Sequence, residues 1–293
     1  MAITSPALTL AMDAMFGNIK PVIDAVKKLG ATDFSPDAPS FQVKPGATIK
    51  VPVSSIEAAN EYNDENNNYL TGGKTDWATL TATHYLKGFD VSGVNIDQGC
   101  DAQKMKQRFT ARAGAGIAAA VQKNIKSALD GATESTGVTL KAISGSDGPT
   151  IDEYLALGDG NDWLNKATSM LAVNGTLLAN IKKIFAAQHI IGTPDELAQY
   201  MGFAGCVLVP GMSARAAIVP AGSMGFLGRV PAIIAQFMEA GVQMDEDTGL
   251  SVGIVLANDQ AHNRLVVNAD LWFGTALKSA PANAATAGVI KIA

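Results

Sequence analysis

The chain has 293 residues, 47% of them hydrophobic and only 17% charged, which is enough apolar content for a sizeable core and excludes disorder across the bulk of the chain. Lys plus Arg number 22 and Asp plus Glu 27, a net charge of −5, which argues against the basic footprint of a nucleic-acid-binding protein. Two cysteines, Cys100 and Cys206, make no disulfide framework and point to a reduced, cytoplasmic setting.

The first residues lack a basic region, and Asp13 interrupts their apolar run, so they do not read as a signal peptide. Met12, Met15, Phe16, Ile19 and Ile23 have rough helical spacing, but Pro36, Pro39 and Pro45 follow. Residues 1–45 therefore read as an arm or a loosely packed leader. Residues 47–53 (ATIKVPV) read as a strand, with Pro52 favouring an edge. Residues 60–75 are polar and Asn-rich, and residues 76–94 resume β character around Trp77, Leu80, Tyr85, Leu86 and Phe89. Two strands around a polar connection predict a long projecting hairpin.

Residues 102–130 are the clearest helix. Asp101 is placed to cap its start and Gly131 to end it. Met105, Phe109, Ala113, Ile117, Val121, Ile125 and Leu129 recur every four residues, so the apolar row drifts around an axis of 3.6 residues per turn. The helix must then meet different neighbours along its length. Gly114 and Gly116 weaken its middle by about 1 kcal/mol each relative to Ala.

Residues 150–241 read as mostly helical, with helices over 162–173 and 177–189, a start at Thr193-Pro194-Asp195-Glu196, an end at Gly202, a buried strand at 206–209 and a helical turn or two at 213–219. The most apolar stretch, 203–235, contains Arg215, Arg229 and three prolines and is no membrane span. Strands return at 250–257 and 264–271 around the turn NDQAHN, and again at 289–292. Strands before and after the helical insertion can share one sheet, an α+β layout with a discontinuous domain.

No catalytic constellation is legible. Residues 114–119 (GAGIAA) match a loose dinucleotide fingerprint but follow a charged helical segment, not a strand. His84, His189 and His262 are scattered, and neither they nor the cysteines have zinc spacing. The acidic clusters at Asp159 and Asp162 and at 245–247 lack a calcium-loop pattern. Gly222-Ser223-Met224-Gly225 lacks the spacing of a nucleophile elbow. No cofactor, metal or catalytic residue is therefore assigned. The basic helix face around Arg108 and Arg112 suits phosphate contact, but solvation or pairing with a neighbouring subunit is the preferred reading.

The order of elements resembles the tailed-phage major capsid protein family, whose fold encapsulins share. The likeness is carried by GATIKVPV with DWATLTATHYLKGFDVSG, by the helix ending NIKSALDGAT, by CVLVPGMSARAAI, and by LSVGIVLANDQAHNRLVVNADLWFGTAL with AGVIKIA at the end. It implies an α+β capsid fold with an extended β-hairpin loop (46–87), a long spine helix (102–130), a peripheral domain with its sheet (88–150 and 242–293), a mixed axial domain (151–241) and an N-terminal arm (1–45). It further implies that Tyr62, Asn67, Tyr69, Lys74 and Trp77 of the loop serve assembly, and that Phe109, Ile117, Val121 and Ile125 seat the spine helix. The implied function is structural rather than enzymatic. Hexamers and pentamers would build an icosahedral virion shell around double-stranded DNA held without sequence specificity. Scaffold, portal or decoration proteins would be separate chains, no membrane would be involved, and assembly would take place in the host cytoplasm. An encapsulin-like compartment is the alternative, and another virion structural protein ranks below it.

Overall fold

In the computed structural model, α1 (Pro6–Leu29) is a 24-residue helix. Its Met15, Ile19, Val22, Ile23, Val26 and Leu29 are all buried, none more than 5% exposed. This corrects the loosely packed leader for residues 6–29: the apolar stripe runs on through Val26 and Leu29 and is buried against the core. The structure describes residues 6–30, 48–53, 76–81, 83–92, 102–134, 149–159, 164–229, 239–245, 250–262, 264–277 and 289–292. The expected caps and polar stretches at 31–47, 54–75 and Asp101 lie outside them.

Next come β1 (Thr48–Val53), β2 (Asp76–Thr81) and β3 (Thr83–Ser92), followed by the 29-residue α2 (Ala102–Asp130). After β4 (Thr133–Glu134) and α3 (Ile151–Leu155) come β5 (Met170–Val173), α4 (Gly175–Ala187), α5 (Pro194–Tyr200), β6 (Gly205–Leu208) and β7 (Ala216–Val219). The chain closes with β8 (Met224–Arg229), β9 (Glu239–Met244), β10 (Ser251–Asp259), β11 (Arg264–Leu277) and β12 (Ile290–Ile292).

β1 and β2 pair antiparallel, from Thr48 opposite Thr81 to Val53 opposite Asp76. Pro52 is tolerated there because each strand of a two-stranded sheet has a free edge. The large sheet has the order β3-β11-β10-β9, with β8 also on β11. Strands from before and after the insertion thus share one sheet, as the α+β layout requires. The other sheet has the order β4-β12-β7-β5-β6.

Three readings change here. Residues 170–173 and 216–219 are strands, not helices, and β8 and β9 add strands to a region read as mostly helical. The cause is burial on both faces. Ala172, Val207, Ala217 and Val219 face the core under α1 and α2, while Leu171, Val173, Cys206, Ala216 and Ile218 face the core under α3, α4 and α5. A strand covered on both sides shows no alternation, so MLAV and AAIV carry no period to read. Finally, β12 pairs with β4 and β7 in this second sheet and not with β10 or β11, and β8, which precedes residue 242, and β9, which spans it, both join the large sheet.

The helix starts are as the sequence writes them. Thr193 accepts from the Glu196 N–H at 3.3 Å while Glu196 accepts from the Thr193 N–H at 2.6 Å, with Pro194 in the first turn. Thr150 and Glu153 repeat the device on α3, and Asn174 caps α4. Gly202 turns the chain out of α5 with φ +91°.

Gly114 lies where α1 crosses α2. A Cβ there would sit 2.6 Å from the Met15 carbonyl oxygen. The gain from helix propensity in Gly114→Ala is about 1 kcal/mol, and a clash with backbone costs about 1–3 kcal/mol, so the variant is expected to be less stable. Gly17 has nothing within 4 Å of its missing Cβ, so Gly17→Ala is expected to gain up to about 1 kcal/mol. Urea midpoints check the pair. Ile117→Asp or Val121→Asp buries an unpaired charge at a position 1% or 0% exposed and should cost several kcal/mol, roughly 3 or more. A melt like the parent's would contradict the packing of α2.

Candidate assembly site

The hairpin is rooted in the large sheet. β2 ends at Thr81 and β3 begins at Thr83, so the returning strand runs directly into the β3–β11 ladder. At that root His84 stands opposite Trp272 in register. Their rings stack with centroids 4.7 Å apart and planes 12° from parallel, and His84 Nε2 meets Asp270 Oδ1. A ring stack and a hydrogen-bonded pair therefore pin the first residues of β3 to β11. Trp77 lies on β2 opposite Pro52. Tyr62, Asn67, Tyr69 and Lys74 fall outside the described residues.

The four α2 residues divide. Ile117, Val121 and Ile125 are buried inside the subunit, so they seat the helix and present nothing to a partner. Phe109 is half-buried, with the Arg112 guanidinium 6.0 Å from its ring centre. The end of α2 is tied to the second sheet. Asp130 accepts from the N–H of Ser213 at 2.9 Å and of Ala214 at 3.1 Å, and pairs with Lys126 at 3.0 Å. Burial pushes its carboxyl up, but the bonds from Ser213, Ala214 and Lys126 outweigh it and hold the pKa below the usual value. A carboxylate at a helix C-terminus opposes the macrodipole. Lys126, and Lys291 donating to the Asp130 carbonyl at 3.4 Å, offset that.

A second tie joins α1 to the same sheet. Lys28 Nζ lies 2.5 Å from Asp195, which also accepts from the Cys206 N–H at 2.9 Å. Burial raises the Asp195 carboxyl and these two donors lower it further, so it stays below its ordinary range. Neither tie was legible, because each joins residues far apart in the chain.

Among the described residues no catalytic geometry assembles. The Cys206 thiol is pushed up to about 12 by burial, with Asp195 adding to the shift, so it stays protonated. The Tyr154 hydroxyl donates to Asn180 at 2.6 Å and burial likewise pushes it up to about 12. Gly114 and Gly116 sit in mid-helix with no strand before them, which removes the dinucleotide reading. Among the described residues no three His, Cys, Asp or Glu side chains gather to hold a metal, and no helix is long and apolar enough to cross a membrane. Among the described residues Leu86, Ile191, Tyr200, Leu208 and Val242 are large, apolar and exposed, Ile191 by 88%.

No protein-family model and no curated protein sequence matches the chain. Solved structures do. The capsid of an empty GTA particle matches with TM-score 0.52 and 13% identity over 92% of this chain and 89% of that one. A virus-like particle from Pyrococcus furiosus matches with TM-score 0.52 and 13% identity over 99% of this chain and 100% of that one. The chain has the capsid fold of these shell proteins.

Asp130 gives a test by acid. Its folded pKa is depressed, so its contribution is complete above the unfolded value near 3.8 and is lost as pH falls through the folded value. Asp130→Asn should therefore lower the urea midpoint at pH 7, and the gap from the parent should close below pH about 4. A gap independent of pH would contradict the role assigned to the carboxylate.

Proposed function

We propose that the chain is the structural subunit of a virion capsid, assembling through hexamers and pentamers into an icosahedral shell around double-stranded DNA and carrying no enzymatic activity. The observation that carries this is the end-to-end likeness of its fold to the shell subunits of two particles. In this reading residues 46–87 are the extended loop, with β1 and β2 as its stem. α2 is the spine helix. The large sheet is the heart of the peripheral domain, and the second sheet with α3, α4 and α5 is the heart of the axial domain. Against a division at 151 and 242, β8 and the first half of β9 precede residue 242 yet pair in the large sheet, and β4 and β12 lie outside 151–241 yet pair in the second sheet.

Tiling fits the physics of the surface. The charged fraction is 17%, and exposed Leu86 beside the hairpin root and Ile191 and Tyr200 on the α4–α5 side offer apolar contact to other copies. A reach by the loop across a neighbour would give each subunit a contact that a flat edge cannot. A protein compartment uses the same contacts and differs in content, so shells holding protein instead of DNA would identify it.

Deleting residues 62–74 removes the polar connection and leaves both strands of the stem. The expected result is a folded, soluble subunit with the parent's melting temperature that no longer sediments as shells. Shells of normal size from the deletion would overturn the loop's assembly role.

A further inference from the structure

Six of the chain's 22 lysines and arginines lie on α2, against one of its 27 carboxylates. At 100° per residue, Lys104, Arg108, Arg112, Lys123 and Lys126 fall within an arc of about 100°. Lys104, Arg108, Arg112 and Lys123 are exposed, and the opposite arc holds the buried Ala113, Ile117 and Val121. From Lys104 to Lys126 the stripe runs roughly 33 Å at 1.5 Å per residue.

The middle of the stripe, Ala115 to Ala119, carries no cation of its own. A lysine from another element crosses there. Gly116 leaves room for the Lys87 stem of β3: a Cβ at Gly116 would lie 2.8 Å from Lys87 Cγ. The exposed Lys87 thus stands beside the helix in the gap between Arg112 and Lys123. Asp130 is engaged with Lys126, and Asp24 of α1 lines a groove with Gln122 at the stripe's edge. A chain of net charge −5 thus sets Arg108, Arg112 and Lys123, all exposed, on one face of one helix.

We propose that this stripe contacts backbone phosphates of double-stranded nucleic acid without reading sequence, and that it is the face a shell turns toward its packaged duplex; the second half rests on the shell reading. Duplex DNA carries about one charge per 1.7 Å of axis, so several cations spread along one helix face come within reach of phosphates where the strands cross them. An acidic protein partner fits less well. The exposed residues between the cations include Ala115 and Ala119, and a protein interface draws its energy from buried aromatic and aliphatic anchors. Between the described cations stand the short Ala115 and Ala119, which offer no hydrogen bond to a base edge, so the contact is to the backbone.

The test uses the unassembled full chain and two unrelated fluorescein-labelled 30-base-pair duplexes (length chosen to be about three helical turns), with anisotropy read across a salt series. Arg108→Gln, Arg112→Gln and Lys123→Gln are combined in one variant, and Lys182→Gln with Lys183→Gln on α4 is the control. The parent should bind both duplexes equally. The triple variant should melt with the parent, lose at least about tenfold in affinity at low salt, and flatten the slope of log K against log salt by about 2.7, which is 0.9 for each lost phosphate contact. The control should keep the parent's slope. Absent binding by the parent, parental binding by the triple variant, or a marked preference for one duplex would each overturn the proposal. So would a triple variant that binds duplex normally yet fails to form shells in the microscope, since the stripe would then be a subunit contact. A parent that shows the slope but forms no shells under any condition would leave the phosphate surface standing and remove the shell reading.

Discussion

A helix of 29 residues is longer than any single neighbour can cover. At 1.5 Å per residue α2 spans roughly 43 Å, and its apolar row drifts as it goes. The rest of the subunit is arranged to answer that drift. α1 crosses near the middle, where Gly114 lets the Met15 backbone approach. β3 and β11 cover another arc, where Asn124 donates to the Tyr85 hydroxyl at 3.2 Å and accepts from Thr275 at 2.7 Å. The loop before β7 takes the end of the helix through Asp130. Four different segments thus meet one rod, and each is placed by the residue it finds there.

The second sheet is the other half of that arrangement. Because it is buried on both faces, it joins the core under α1 and α2 to the core under α3, α4 and α5. Side chains that stabilise it act on both cores at once. The ties at Asp130 and Asp195 fix its position relative to the two long helices, each carboxylate accepting backbone N–H bonds and pairing with one lysine. Such half-buried pairs contribute more than exposed ones, since hydrogen bonds from fixed backbone donors accompany the charge.

What the sequence made legible follows local contrast. α2 stood out because charge and apolar residues alternate on it with a four-residue period. Thr193-Pro194-Asp195-Glu196 stood out because capping chemistry is written within four residues. β10 and β11 stood out because NDQAHN separates two β-rich runs. α1 was half visible: Met15, Ile19 and Ile23 show the spacing, and the prolines at 36, 39 and 45 drew attention to the break that follows. β5 and β7 were hidden because MLAV and AAIV are apolar on both faces. β8, with Gly225 and Gly228, and β9, with Gly241, offer little β propensity to read. The partners of β12 and the hairpin root were invisible for another reason. His84 and Asp270 lie 186 residues apart, and only the folded sheet sets them side by side.

The proposed role of this subunit is to tile with copies of itself. Electron microscopy of the purified full chain, with light scattering on the same sample over a range of concentration and salt, tests it most directly. Closed shells, or rings of five and six subunits that close into shells as concentration rises, are the predicted result. A single species of monomer or dimer under every condition, with no larger assembly, would contradict it.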